Sequence, residues 1–257
     1  MIRLVACDVD GTLLMKGESS ISANIIDSIK KLVASGVVFV VASGRTYTDL
    51  KRLFAEVEKD VVFVSNDGAL ISYKGTVLAK HPILHKEGFE FMKKVYKKGD
   101  VIPVVYSAYM AYVLNGHGEF SNELRYATNN HMLEVECMDS INDDYLKIGL
   151  YKKASAAVNV EDIASEYPLN LVYESPEWIE YVAQGINKGS AIEHLQKRFA
   201  ITKGETMVFG DNTNDLEMFE QADFAYAVDW AADSIREKCP YTTSDVVATL
   251  EKICIDR

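Results

Sequence analysis

Three short apolar runs, each ending in small or polar residues, alternate with stretches of helical spacing over the N-terminal quarter of the chain. The runs are Ile2-Arg3-Leu4-Val5-Ala6-Cys7, Val37-Val38-Phe39-Val40-Val41 and Asp60-Val61-Val62-Phe63-Val64-Ser65. Near-continuous apolar segments of this kind are what strands look like when both faces are buried. Between the first two, Ile25, Ile26, Ile29 and Leu32 recur at helical spacing. Ser20 or Ser22 can cap that helix, and Gly36 suits its C-terminus. A second helix is expected from Thr46 to about Glu58. Strands joined by helices run parallel, because only a long crossover returns the chain to the same end of the sheet. The alternation therefore predicts an α/β fold with a doubly wound, Rossmann-like parallel sheet.

In such sheets ligands bind beyond the carboxyl ends of the strands. The first strand ends in Asp8-Val9-Asp10-Gly11-Thr12. Strand side chains alternate, so Asp8 and Asp10 project roughly the same way. Two carboxylates on one edge repel unless a cation or a proton sits between them. The pair points to a hard metal ion or to acid/base chemistry, against the plainer alternative of an acidic turn. The second strand ends in Ala42-Ser43-Gly44-Arg45, small enough for a ligand to approach the backbone at the start of the next helix, or simply a strand-to-helix turn. The third ends in Asn66-Asp67-Gly68, and a hairpin is expected at Ala69 to Ser72 and Thr76 to Ala79.

From about Pro82 the texture changes to an α+β block with its own strands, rich in tyrosine, that extends to Ala183. Its strands Leu169 to Tyr173 and Trp178 to Ala183 read as antiparallel. Its tyrosines could stack on a ring or simply pack the sheet. At Gly185-Ile186-Asn187-Lys188-Gly189 the α/β texture returns, with Asn187 as a helix cap. Lys188 then opposes the helix dipole, which suits either a nearby anion or a solvated surface position. Thr206-Met207-Val208-Phe209 is a further strand, ending in the oxygen-rich loop Gly210-Asp211-Asn212-Thr213-Asn214-Asp215. Such loops hold Mg²⁺ or Ca²⁺, and the spacing is not that of an EF-hand. A last strand spans Phe224 to Val228, and helices near Ala231 to Lys238 and Ser244 to Cys254 close the chain.

Composition narrows the function. The net charge of −11 argues against nucleic acid or an anionic membrane surface as partner. No apolar run approaches the roughly 20 residues that span a bilayer, and no leader pattern opens the chain, so a cytoplasmic protein is expected. The four cysteines, Cys7, Cys137, Cys239 and Cys254, lie far apart and read as reduced, buried thiols. An anionic substrate would need a local reversal of field, for instance by a bound cation.

Parallel strands bring their carboxyl ends together, so Asp8, Asp10, Ser43, Lys188, Asp211 and Asp215 can converge on one crevice. Carboxylates, a hydroxyl, an ammonium and a metal loop suit phosphoryl transfer. The cations neutralise phosphate while a carboxylate attacks phosphorus.

These four islands, in this order, resemble the motifs of the haloacid dehalogenase superfamily. Asp8-Val9-Asp10-Gly11-Thr12 matches the nucleophile motif, Ser43-Gly44-Arg45 the second, Lys188 the third and Gly210 to Asp215 the fourth. The long insertion after the third strand, with Lys188-Gly189-Ser190-Ala191 and Asp215-Leu216-Glu217-Met218, is similar to the Cof-type sugar phosphatases with a type IIB cap. The resemblance implies a core of residues 1–81 and 184–257 with an α+β cap domain at 82–183. It implies that Asp8 attacks phosphorus and that Asp10 is the acid and base. Ser43, Gly44 and Lys188 would hold the phosphate oxygens, and Asn214 would touch the phosphate or support Lys188. Mg²⁺ would be held by Asp8, the Asp10 backbone carbonyl and Asp211, with Asp215 in or just behind that shell. One stretch departs from the pattern. Val228-Asp229-Trp230 stands where the group has a glycine-containing turn, which leaves one pocket wall open to question.

The function implied is a Mg²⁺-dependent phosphatase of a small phosphorylated metabolite, a sugar phosphate, acting through an aspartyl-phosphate as a monomer or weak homodimer. The alternatives are a phosphosugar mutase that returns the phosphate to the sugar, and a non-catalytic phosphometabolite sensor. The sensor has no need of both Asp8 and Asp10.

Overall fold

A computed structural model of the chain describes residues 1–128, 131–152 and 159–255. The first third runs β1 (Leu4–Cys7), α1 (Ala23–Ala34), β2 (Val38–Ala42), α2 (Tyr47–Leu53) and β3 (Val62–Ser65), then the hairpin β4 (Leu70–Tyr73) and β5 (Thr76–Lys80). The middle runs α3 (His85–Tyr96), β6 (Val101–Tyr106), β7 (Ala111–Leu114), α4 (Gly118–Thr128), β8 (Met132–Val135), β9 (Lys147–Lys152), α5 (Val160–Ala164), β10 (Leu169–Glu174) and β11 (Trp178–Ala183). The chain then returns through α6 (Lys188–Phe199), β12 (Thr206–Gly210), α7 (Leu216–Phe219), β13 (Phe224–Val228), α8 (Asp233–Arg236), β14 (Tyr241–Thr243) and α9 (Val246–Ile255).

Two sheets result. The first has the order β14-β13-β12-β1-β2-β3-β4-β5. Its strands are parallel from β14 to β3, and the hairpin adds an antiparallel edge. The chain winds outward in both directions from β1, so β1 and β12 flank the switch point where α/β sheets bind ligands. Every residue of β1 and of β12 is buried, as expected for strands covered on both faces. On one face lies α1, which buries Ile25, Ile26, Ile29 and Leu32 and is capped by Ser22.

The second sheet, β10-β11-β9-β6-β7-β8, is antiparallel except for the pair β7 and β8. One face carries Ile148, Leu150, Ile179 and Tyr181, packed on Phe91, Met92 and Val95 of α3 and Ile163 of α5. The opposite face presents Tyr106, Lys147, Trp178 and Glu180 to a cavity shared with the first sheet. The architecture is thus the doubly wound core with an inserted α+β cap.

The structure departs from the sequence reading in three places. The second helix stops at Leu53 and continues only as a short 3-10 turn at Ala55–Val57. The break buries Phe54, whose ring meets Phe63 edge-on at 6.3 Å. The edge strand β14 carries no apolar run, since two of its three residues are exposed. The thiols are not uniformly buried: Cys7 is, Cys239 is half-buried, and Cys137, in the turn after β8, is exposed. The side chain of Cys254 lies outside the described residues. No helix among the described residues is long and apolar enough to cross a membrane.

Candidate active site

The site begins where β1 runs out. Asp8 continues the pairing with β12 through its N–H, which donates to the Phe209 carbonyl at 2.9 Å, and its side chain is buried. The chain then folds over Val9, whose carbonyl accepts from Leu13 and Leu14 at 2.9 and 2.8 Å. Gly11 makes this possible with φ +89°, and a Cβ there would lie 2.3 Å from Asp211 Oδ2. The loop after β1 and the loop after β12 therefore touch. Thr12 donates its hydroxyl across this contact to Asp211 Oδ1, at 3.4 Å.

Lys188 opens α6. Asn187 caps that helix in a reciprocal arrangement with Ser190. The Lys188 Nζ donates to Asp8 Oδ1 at 2.5 Å and to Asp215 Oδ1 at 2.7 Å, and all three side chains are buried. It is therefore no solvated surface lysine. Burial works against its charge, but Asp215 and Asp8 outweigh burial and push its pKa above the ordinary lysine value. The other oxygen of Asp215 accepts the backbone N–H groups of Asp211 and Asn212, at 3.0 and 3.1 Å. Asp215 thus shapes the loop that carries Asp211.

One lysine does not neutralise this cluster. Burial pushes the Asp8 carboxyl well above its usual range, and the charges of Asp215 and Asp211 add to that against the opposing pull of Lys188. Asp211 is pushed up to about 6 by burial and by Asp215. Asp8, Asp211 and Asp215 each bring a carboxylate oxygen within 4.8 Å of the others. This surplus of negative charge on hard oxygen atoms fits a divalent cation of the Mg²⁺ or Ca²⁺ type.

Asp10 contributes no carboxylate to that group. Its side chain is exposed and points across to Arg45, which holds it by two bonds: Nε to Oδ2 at 2.8 Å and Nη2 to Oδ1 at 2.7 Å. Arg45 also pairs with the buried Asp49 one turn along α2. Ser43 is buried and its hydroxyl accepts the Arg45 N–H at 3.2 Å. Asn214 donates to Asp67 Oδ1 at 3.0 Å, so its recorded partner is Asp67 and not Lys188. Asp8, Asp10, Ser43, Gly44, Asp211 and Asn214 all line one cavity of about 420 Å³.

The other wall comes from the inserted sheet: Tyr106, Lys147, Trp178 and Glu180, with Tyr173 and Leu124. Glu180 faces the cavity, whereas its neighbour Tyr181 packs on Phe91 at 5.4 Å. Lys147, Asp67 and Arg45 stand in the site beyond the residues expected there from the sequence. Arg45 lay in a matched motif, and Lys147 is a charge at the head of an otherwise apolar strand. Both signals were legible. Asp67 gives none, since it reads as a turn, whereas Glu180 and Tyr181 alternate along one strand, which marks one of the two for the cavity. The stretch Val228-Asp229-Trp230 also finds its place. The Trp230 indole N–H donates to the Gly11 carbonyl at 2.7 Å, so the ring braces the turn after β1.

Comparison with known proteins follows this geometry. The family model for haloacid dehalogenase-like hydrolases matches residues 5–248. A 5-amino-6-(5-phospho-D-ribitylamino)uracil phosphatase of Escherichia coli is 25 % identical over 244 residues, which are 93 % of this chain and 90 % of that protein. An HMP-PP phosphatase of Yersinia enterocolitica is 23 % identical over 254 residues, 93 % of this chain and 88 % of that one. Among solved structures, a sugar phosphatase of subclass IIB superposes with a TM-score of 0.83 at 19 % identity, covering 98 % of this chain and 99 % of that chain. That last likeness is one of fold.

Proposed function

This chain belongs to the haloacid dehalogenase-like hydrolases, and from that premise we propose that it is a Mg²⁺-dependent phosphatase working through an aspartyl-phosphate on Asp8. At the coarser level it is a phosphatase of small phosphorylated metabolites. The observation that carries the finer reading is the buried Lys188, held between Asp8 and Asp215 at the end of β1 with Asp211 beside them. A buried carboxylate fixed by an ammonium and surrounded by further carboxylates is costly to fold around, and groups perturbed in this way cluster at functional sites.

In this reading a carboxylate oxygen of Asp8 attacks phosphorus, and the bond from phosphorus to the ester oxygen breaks. The departing alkoxide takes a proton from Asp10. Water then attacks phosphorus, Asp10 takes back a proton, and the bond to Asp8 breaks to release inorganic phosphate. Lys188 fixes the Asp8 side chain through Oδ1, and Ser43 with the Gly44–Arg45 backbone offers donors to the phosphate oxygens. Arg45 holds Asp10 over the cavity between its two proton transfers. Asp8, the Asp10 backbone carbonyl and Asp211 would hold the Mg²⁺, with Asp215 behind them because both its oxygens are already engaged. The ion, when bound, supplies positive charge against the carboxylates and the phosphate.

The block 82–183 is, in this reading, a mobile cap whose junctions lie near Pro82 and Gly185. Closing it excludes water and opening it releases product. The substrate we propose is a phosphorylated sugar or sugar alcohol. A ring joined to the far end is a second reading, favoured by Tyr106 and Trp178 on the cap wall. The name of the Escherichia coli relative describes such a compound, a phosphorylated ribityl chain on a uracil. The test is a phosphate-release screen with Mg²⁺ across sugar phosphates, sugar-alcohol phosphates and ring-bearing esters. Release from none of them, or return of phosphate to another carbon of the same sugar, would overturn the proposal.

A further inference from the structure

Lys147 stands at the head of β9, in the inserted sheet, yet its ammonium leaves that sheet. It donates to the Gly44 carbonyl at 2.7 Å and reaches Asp67 Oδ2 at 3.4 Å. It is tied back to its own sheet by Glu180 Oε2 at 2.7 Å. The residue is only 3 % exposed. Burial disfavours its charge, but the carboxylates of Glu180 and Asp67 outweigh burial and keep it cationic.

The identity of the acceptor matters. The Gly44 carbonyl and the Arg45 N–H belong to one rigid peptide unit. That N–H points at Ser43 Oγ, and the side chain of the same Arg45 grips Asp10. A cation on the carbonyl fixes the plane of the peptide and polarises its N–H, because hydrogen bonds in series strengthen one another. The second anchor, Asp67, belongs to the same assembly. Its N–H donates to the Ser43 carbonyl at 3.1 Å, and the Asn66 N–H donates to the Arg45 carbonyl at 2.9 Å. Asn66 and Asp67 both hold left-handed backbone, a conformation that costs energy in residues with a Cβ. A Cβ on Gly44 would fall 2.9 Å from Asp67 Oδ2, so the two loops fit closely there.

We propose that Lys147 is a positioning residue through which the seated cap completes the phosphate-binding loop, by gripping the Gly44–Arg45 peptide from above. The inference rests on the phosphatase reading given above. It assigns Lys147 a task different from choosing the substrate. Lys147 acts on the part of the site that meets the phosphate, so every ester feels its loss, including esters too small to touch Tyr106 or Trp178.

The experiment is steady-state hydrolysis of acetyl phosphate with Mg²⁺ by the wild type, Lys147→Met and Lys147→Arg, with inorganic phosphate as competitive inhibitor and folding followed by circular dichroism. Activity of the wild type tests the phosphatase reading by itself, and a wild type that releases phosphate neither from acetyl phosphate nor from the ester panel above sinks both. Given an active wild type, Lys147→Met should lower kcat/KM by about tenfold or more, in line with the loss of a positioned phosphate donor. It should also weaken inhibition by inorganic phosphate by about fivefold, and Lys147→Arg should restore part of both. Values for Lys147→Met within about twofold of the wild type on both measures overturn the proposal. If that variant does not fold, Lys147→Ala, which likewise removes the donor to the Gly44 carbonyl, is judged against the same two thresholds.

Discussion

Arg45 holds both carboxylate oxygens of Asp10, at 2.7 and 2.8 Å, and both residues line the cavity. A bidentate clamp fixes direction as well as charge. The proposed acid and base therefore does not swing freely in solvent.

The clamp yields a kinetic expectation. Asp10→Asn should slow esters with poor leaving groups far more than p-nitrophenyl phosphate, whose leaving group needs no proton. Arg45→Ala should show the same selectivity more weakly. The double variant should be no slower than Asp10→Asn alone, since Arg45 acts through Asp10. Single-turnover formation of the phosphoenzyme measures this, and effects that simply add within about 0.5 kcal/mol would uncouple the two residues.

Asp8→Asn should abolish turnover while the protein stays folded, because an amide does not attack phosphorus. Turnover above about one per cent of wild type, a rise in barrier under roughly 3 kcal/mol, would remove Asp8 from the covalent role. Phosphate release with a sensitive coupled assay decides it.

The elevated Asp211 carboxyl makes metal-free stability depend on pH. Its pKa is about 6 in the folded protein, against about 3.9 in an unfolded chain. A carboxyl raised on folding binds its proton more tightly in the native state. Its contribution is fully present below about pH 4 and is lost as the pH rises through about 6. Added Mg²⁺ should therefore raise the melting temperature more at about pH 7.5 than at about pH 5, since the ligand must be deprotonated to bind. Equal shifts at both values would separate Asp211 from the cation.

Asp211 and Asp215 should part company when each is removed. Asp215→Ala leaves Lys188 with a single carboxylate and frees two backbone N–H groups, so it should cost about 3 kcal/mol of stability. Asp211→Ala relieves repulsion and should leave stability close to wild type while weakening Mg²⁺ binding. Denaturant titration with and without Mg²⁺ distinguishes them, and equal losses of stability would contradict the separate roles.

Trp178→Leu tests the cap wall. On a ring-bearing ester it should lower kcat/KM by about tenfold relative to glycerol phosphate, the scale of one lost stacking contact. An unchanged ratio between the two substrates would remove the ring from the second reading of the substrate.

How much of this could be read in advance depends on where a residue gets its meaning. Strands β1, β2 and β12 announce themselves because apolar, β-branched runs between turns leave little alternative. The residues at their ends were legible for the same reason, since a strand end in a parallel sheet is a known place. Asn187 was legible as a cap from its residue type, whereas Lys188, whose charge opposes the helix dipole, left an anion and a solvated surface position equally open, and only its contacts with Asp8 and Asp215 decide between them. The 3-10 break at Phe54 was not legible, because it depends on Phe63 across the core. Nor was the meeting of Lys147 with Gly44, since the two are 103 residues apart and no local pattern links the inserted sheet to that loop. Trp230 read as a departure from a pattern, and only the contact with Gly11 gives it a role.

That contact makes the site optically addressable. The chain has two tryptophans. Trp230 is bonded to the turn that carries Asp8 and Asp10, and Trp178 lines the cavity from the opposite wall. Indole emission shifts with the polarity and hydrogen bonding around the ring. Light absorbed beyond the tyrosine band is therefore emitted only from the turn after β1 and from the cavity wall of the inserted sheet. In the reading proposed above, unlabelled protein then reports cap closure and ligand arrival in real time. Trp178→Phe leaves a signal from the turn after β1, and Trp230→Phe leaves one from the inserted sheet.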